Sequence, residues 1–389
     1  MATDRSGLNS PIARRRRRAV RILQLVSCRG WSSDAYWAAR VTRELERRGH
    51  EVTLGCRRGT ERAVVERARA EGVSRVETFE FAGGLRPGAD AADVRHLRRA
   101  MAAADVVHVH RGKEHWLAVV AARLAGGRPI VRTRHIAQAV RPHVGNRWLY
   151  GRATQLVVAV TEAIRGQCVA AGLLAPQRIV TLAGGADAEA YQPRPADPVL
   201  RRALGGEDGR PLVGMVAGLR VMKGHRVVIE AAARLAREGV RPRIVFVGRG
   251  AMEGTLREGI AQAGLEGQVT LAGFAADVPG TMAALDLALY VPLESDGMSR
   301  VVFEYLAAGR PLLASRVGVV PEVLVDGEHA ALVPAGDAAA LAAALAGLLA
   351  DPDRRRRLAE AGRRLVLERF SGARVAAALE AHYARLTAA

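Results

Sequence analysis

Lysine is all but missing from this chain of 389 residues: Lys113 and Lys223 stand alone among 58 basic side chains. Arginine is used almost everywhere else, so each lysine calls for its own explanation. Cysteine is scarce as well. Cys28, Cys56 and Cys168 lie far apart with no metal-ligand spacing, which excludes a disulfide scaffold and reads as reduced, buried thiols. Aromatic residues make up 4%, and no basic stretch carries the interleaved aromatics or zinc-finger spacing of a nucleic-acid binder. No apolar run reaches the ~18 residues that span a bilayer. Leu25-Val26-Ser27-Cys28, behind the basic run Arg14–Arg18, superficially resembles a lipoprotein signal. Arg21 and Gln24 interrupt its short apolar stretch, which makes a better first strand.

What is present is apolar and unevenly charged. At 49% apolar content the composition is that of a globular protein, long enough for two domains. Residues 1–190 carry 33 Lys+Arg against 17 Asp+Glu, whereas residues 191–389 carry 25 against 22. A uniform compositional bias would colour both halves alike. The first half is therefore expected to face something anionic. Arg14–Arg18 reads either as a solvated tail or as a contact with an anionic bilayer, where each basic residue contributes about 1 kcal/mol.

Short β-branched runs alternate with helical stretches from end to end, the pattern of parallel sheets covered by helices. Strands are predicted at 20–26, 51–54, 74–79, 106–110, 130–134, 156–160 and 179–182, then at 212–216, 243–247, 269–271, 287–291 and 311–315. The Gly- and Pro-rich stretch 184–211 breaks the rhythm and reads as a linker. Residues 337–388 read as helical almost throughout. The expected class is α/β: two doubly wound Rossmann-like domains facing a central cleft, with a helical C-terminal tail. The expected boundaries are a basic tail at 1–18, an acceptor-side domain at 19–190, and a donor-binding domain at 191–370. A final helix at 371–389 is expected to return to the first domain. Ligands of such folds sit beyond the carboxyl ends of the strands.

The informative segment is Asp296-Gly297-Met298-Ser299-Arg300-Val301-Val302-Phe303-Glu304. A strand ends, an acidic loop follows, and a helix opens near Ser299, offering free N–H groups to a phosphate. Glu304 falls one turn inside, placed to accept hydrogen bonds from vicinal hydroxyls. The segment resembles the family-4 retaining glycosyltransferases of GT-B fold, whose hallmark is a Glu, seven residues, and a second Glu. The hallmark falls on Asp296 and Glu304. The resemblance continues through Ala314–Glu322, Val325-Asp326-Gly327 and Leu332–Asp337, and backwards through Leu271–Phe274, Val247–Gly250 and Lys223-Gly224-His225.

The resemblance implies metal-independent transfer of a hexosyl group from a UDP- or GDP-sugar, without a cofactor. The acceptor it implies is a saccharide or lipid-linked molecule of cell-envelope synthesis, met in the cytoplasm or at the inner membrane face. It assigns Glu304 to the donor ribose, Asp296 to sugar hydroxyls, and the amides of Gly297, Met298, Ser299 and Arg300 to the sugar and diphosphate. Lys223 neutralises the leaving diphosphate; Gly248 approaches the donor, and Phe274 lies near the base. His135 matches a histidine that reaches the donor sugar from the first domain. Two departures stand out: Asp296 is one methylene short, and the usual Arg, five residues before the Lys, is Gly218. Arg220 is expected to supply the missing charge. On the acceptor side the usual Gly-Gly loop is reduced to Gly30.

Each assignment has a plainer reading. Glu304 and Lys223 also read as solvated charges, Asp296 as a helix cap, and His135, like His108 and His110, as a structural histidine at a strand end. Asp351-Pro352-Asp353 imitates a metal-binding Asp-x-Asp but sits at a helix start, where capping explains it. Two other functions compete. A nucleotide-sugar epimerase or hydrolase shares the fold, and a basic nucleic-acid binder would share the charge. A dinucleotide oxidoreductase is disfavoured, because Ser27-Cys28-Arg29-Gly30 is no Gly-x-Gly-x-x-Gly turn.

Overall fold

The computed structural model describes residues 18–295 and 297–388. Asp296 and the tail up to residue 17 lie outside the described residues. The first sheet comprises β1 (Arg21–Val26), β2 (Glu51–Arg57), β3 (Val76–Phe79), β4 (Val106–Val109), β5 (Ile130–Arg134), β6 (Leu156–Ala159) and β7 (Ile179–Thr181). The second comprises β8 (Leu212–Val216), β9 (Arg243–Val247), β10 (Val269–Gly273), β11 (Leu287–Tyr290), β12 (Leu312–Ser315) and β13 (Ala331–Val333). Both are parallel throughout.

Their orders are β3-β2-β1-β4-β5-β6-β7 and β10-β9-β8-β11-β12-β13. Each order reverses between its first and fourth strands, β1/β4 and β8/β11, and the crevice at such a reversal is where ligands bind in open sheets. Helices cover both faces, so the strands are apolar on both sides; β4, β6, β11 and β12 are buried along their whole length. The twelve strands expected from the sequence are all present. β13 was not foreseen, because three residues between a Gly-containing turn and Pro334 carry too little periodicity to register. The stretch read as a linker contains a short helix, Pro198–Ala203, capped by Asp197.

The chain crosses between the sheets twice, and the crossings touch: Ala186 bridges Ser371, and the Gly185 amide donates to the Phe370 carbonyl at 2.8 Å. Beyond the second crossing, helix Gly372–Ala388 lays Val375, Ala376, Leu379 and Tyr383 against Trp37, Val41 and Leu45 of helix Ser33–Arg47. Burying each such aliphatic side chain is worth about 1.5–3 kcal/mol. Arg48 adds a bond from Nε to Glu380 at 2.7 Å. No helix of the described residues is long and apolar enough to cross a membrane.

Candidate active site

The donor-side wall is built largely from backbone. β11 ends at Tyr290, and the chain turns through the acidic loop into helix Arg300–Ala307. The Tyr290 hydroxyl donates to Ser299 Oγ at the helix cap, which fixes the first turn of the helix beside the cleft. Gly297 has φ of 123°, and a Cβ there would overlap the His135 carbonyl oxygen of the opposite domain. Glycine is therefore required on both counts. Met298 is anchored: its side chain packs on the cores of both domains, and the Gly184 amide donates to its Sδ at 3.0 Å.

Lys223 is carried on a short turn, Val221–Lys223, that ends at Gly224 with φ of 80°. A side chain on Gly224 would drive into the Val291 carbonyl, and the Leu293 amide donates to Met222 O at 2.8 Å. The lysine turn and the acidic loop are thus pinned to each other. Gly218, Arg220 and Lys223 line a cavity of about 390 Å³, together with Met298, Ser299 and Arg300. Arg220 Nε lies 3.8 Å from where a Gly218 Cβ would stand, so the arginine folds back over the space that the missing side chain leaves open. Gly248 and Gly250 do not line the cavity; they let their loop press against the carbonyls of Ala217 and Leu219. Phe274 is exposed outside the cavity, with the Arg249 guanidinium 6.0 Å from its ring.

Glu304 is 2% exposed and sits behind Arg300, whose Nε is 3.0 Å from its carboxylate. Burial raises the Glu304 pKa, and Arg300 pulls it back. Arg300 itself lies over the Tyr36 ring at 4.0 Å, joining the two domains. The cavity wall at this point is Arg300, not Glu304.

The acceptor-side wall is made of side chains. His135 directly follows β5 and lines the cavity with Ile136, Asp34 and Arg111. It is the last member of a buried series: His108 Nδ1 meets the Tyr383 hydroxyl at 2.5 Å, His108 stacks on His110 with ring centres 4.6 Å apart, and His110 Nδ1 meets His135 Nε2 at 3.0 Å. Burial pushes His108 and His135 down to about 3, and His110 also well below its ordinary value. These rings are neutral donors and acceptors. The indole of Trp37 meets all three edge-on. Asp34 is also buried, which raises its pKa, yet hydrogen bonds from Arg111 and the influence of His135 bring it down to about 2.

Of the residues expected from the sequence, the structure gathers His135, Gly218, Arg220, Lys223, Met298, Ser299 and Arg300 around one cavity. Gly30 lies in the loop after β1, with open space about it, and does not line the cavity. Lys113 is structural: its Nζ bonds Asp90 at 2.6 Å and the Gly84 carbonyl at 2.7 Å. Asp351 caps helix Pro352–Leu365 through the Arg354 amide. Sequence reading missed Asp34 and Arg111. Ser32-Ser33-Asp34 carried a helix-start signature directly after the first strand, which marks the strand end nearest the crevice.

The match to known proteins is extensive. Residues 35–190 match the family described as Glycosyltransferase Family 4, and residues 197–365 match Glycosyl transferases group 1. The D-inositol 3-phosphate glycosyltransferase of Nocardia farcinica is 31% identical over 283 residues, which cover 65% of this chain and 60% of that one. A glycosyltransferase structure from Rickettsia africae superimposes with a TM-score of 0.82 at 18% identity, covering 95% of this chain and 98% of its own. Anabaena HepE, solved with UDP and glucose, gives 0.77 at 20% identity, covering 93% and 99%. With both sheets, the cleft between them and the two family matches in agreement, this chain belongs to the group 1, family-4 glycosyltransferases of GT-B fold.

Proposed function

We propose that the enzyme moves a hexose from a nucleoside-diphosphate sugar to a saccharide or lipid-linked acceptor with retention of configuration. The observation that carries this reading is the 390 Å³ cavity, where a helix N-terminus, Lys223 and Arg220 converge opposite His135. Lys223, Arg220 and the amides at Ser299 and Arg300 hold the diphosphate, whose charge grows as the glycosidic bond breaks. Glu304 takes the donor ribose once Arg300 turns aside, and Asp296 reads the sugar. Phe274 and Arg249 flank the base. The His135 imidazole, kept neutral, meets a sugar hydroxyl. Among the described residues the carboxylate that lines the cavity is Asp34, held by Arg111, which favours same-face substitution assisted by the donor phosphate.

A bilayer surface fits the outer face of the first domain. Trp116, Val120 and Leu124 form an exposed stripe on helix Gly112–Leu124, and Trp116 stacks on Trp148 at 5.9 Å, with Arg123 4.4 Å above the latter. Residues 115–161 carry seven arginines and no Asp or Glu. Trp and Arg are the residues of an anionic membrane interface. This supports work at an anionic membrane surface, as a lipid-linked acceptor of envelope synthesis would require.

The test is a thermal-shift screen against UDP, GDP and their sugars, followed by the anomeric coupling constant of the product. Donor turnover without any acceptor favours the hydrolase or epimerase reading. An inverted product removes the retaining mechanism.

A further inference from the structure

A second cavity, of about 260 Å³, opens beside the first at the carboxyl ends of β4 and β5 and shares Asp34, Arg111, His135 and Ile136 with it. Its base is Arg132, only 4% exposed, whose Nε and Nη1 meet no hydrogen-bond partner among the described residues. Arg134 lines the same space. One of its terminal nitrogens is spent on the Ile136 and Gln138 carbonyls, but its Nε is buried and unpartnered. Arg111 is already held by Asp34. Glu114 feels the charge of Arg132, yet no ion pair among the described residues joins them. Around Arg132 stand the histidines 108, 110, 115 and 135, all kept neutral by burial. Helix Gly112–Leu124 begins at the rim, its positive end toward the cavity.

A buried guanidinium without a counter-charge is costly to keep and is expected to be paired. Among the described residues no ion pair supplies that counter-charge: the Glu114 carboxylate accepts from the His110 and Arg111 amides, and Asp34 is taken up by Arg111. We propose that this cavity is an anion subsite that binds a phosphoryl group of the acceptor while its hydroxyl reaches into the donor cleft. Donors from two arginines and a helix end face one cavity, the arrangement that holds a multiply charged oxyanion. The proposal rests on the glycosyltransferase reading for the word acceptor, and on geometry alone for the anion.

The experiment is calorimetric titration of the full chain, saturated with UDP, with inorganic phosphate, a sugar monophosphate, farnesyl diphosphate and acetate. Wild type binds the three phosphates. Arg132→Met weakens them by about 10- to 100-fold, the value of one or two charged hydrogen bonds, and leaves UDP affinity intact. Arg134→Gln weakens them by a smaller factor. Without ligand, Arg132→Met melts higher than wild type, because an unpaired buried charge is gone. Farnesyl diphosphate binding more tightly than inorganic phosphate names a lipid carrier; equal binding names a free phosphorylated acceptor. Unchanged phosphate affinity in both variants, acetate binding as well as phosphate, or a lower melting temperature for Arg132→Met overturns the subsite. Failure of UDP to bind wild type instead defeats the proposed donor, and the phosphate titration then still judges this cavity.

Discussion

The two walls of the cleft are built from different materials. The donor-side wall is a surface of backbone: the helix start at Ser299, the turn at Lys223–Gly224, and glycines at 224, 248, 250 and 297 that let strands of main chain touch. The acceptor-side wall is a surface of side chains gathered at the ends of β4 and β5: the buried His108, His110 and Arg132, and the half-buried His135. Backbone recognition suits the part of the substrate that does not vary, a diphosphate. Side chains suit the part that does, because one substitution changes what the wall accepts. The charge difference between the halves fits this division, with arginine concentrated where an anionic acceptor or surface is met.

The sharpest way to break the comparison is Lys223→Ala. If the donor wall stabilises the leaving diphosphate, turnover falls about 100-fold or more, as for a removed oxyanion donor, while donor affinity falls less. Lys223→Arg recovers only part, since a planar guanidinium needs more room. Arg220→Ala costs roughly tenfold, the scale of one charged hydrogen bond. Steady-state kinetics decide the ranking. If Arg220→Ala is the more damaging, the guanidinium folded over Gly218 has taken the leading role.

Next in size is Glu304→Gln. The carboxylate is paired with Arg300 behind the cavity wall, so the substitution loses a charge-assisted bond to ribose and also frees Arg300. Donor affinity is expected to fall about 10- to 100-fold, from a bond worth ~1.5–3 kcal/mol. Measuring free nucleotide and nucleoside together locates the loss. An unchanged nucleoside affinity removes Glu304 from the ribose.

The same contrast explains what could be read from the chain. The donor wall was legible because backbone geometry is enforced by residue type at fixed spacing. Only glycine serves at 224 and 297, and a helix start needs its cap within a few residues. The acceptor wall was not. Asp34 and Arg111 are 77 positions apart, and His108, Arg132 and Tyr383 meet only after the sheet forms and the last helix returns. No local pattern encodes such meetings. Alternation of β-branched runs gave the sheets, but β13, three residues long, fell below what a period of two can show. The i,i+4 spacing on one helix brings Arg300 and Glu304 together, but it does not say which of the two faces the cavity.

The buried histidines give the acceptor wall a signature in pH. His108 and His135 titrate near 3 when folded, against an ordinary 6.5. Between those values the unfolded chain binds protons that the folded chain refuses, so stability is complete above about pH 6.5 and falls as pH drops. Each such histidine adds up to about 1.4 kcal/mol per pH unit. Denaturant unfolding between pH 6.5 and 5, where carboxylates stay ionised, reads the slope. His108→Gln should reduce it by one proton. An unchanged slope means that His108 is not the neutral ring described.

The smallest effect tests whether the two walls move against each other. Glu322 belongs to the donor domain, on helix Val320–Val323, yet its carboxylate accepts from the amides of Glu162 at 2.7 Å and Ala163 at 2.9 Å. Those amides open helix Glu162–Ala170 of the acceptor domain, where Thr161 already caps the Ile164 amide. A carboxylate from one domain thus sits on the positive end of a helix in the other, bridging the closed cleft. The contact is exposed, so its worth is modest, about 1 kcal/mol, or fivefold in a closing equilibrium. Glu322→Ala should raise the donor KM about fivefold with little change in kcat, because the residue does not line the cavity and is expected to act by favouring closure. Glu322→Gln keeps an acceptor oxygen and should recover part of the loss. High salt should weaken the wild type toward the variant and leave the variant unmoved. If the donor KM of Glu322→Ala equals that of wild type at low salt, the bridge does not govern closure, and the walls are held together by Arg300 on Tyr36 and the paired crossings at Ala186 and Ser371 instead.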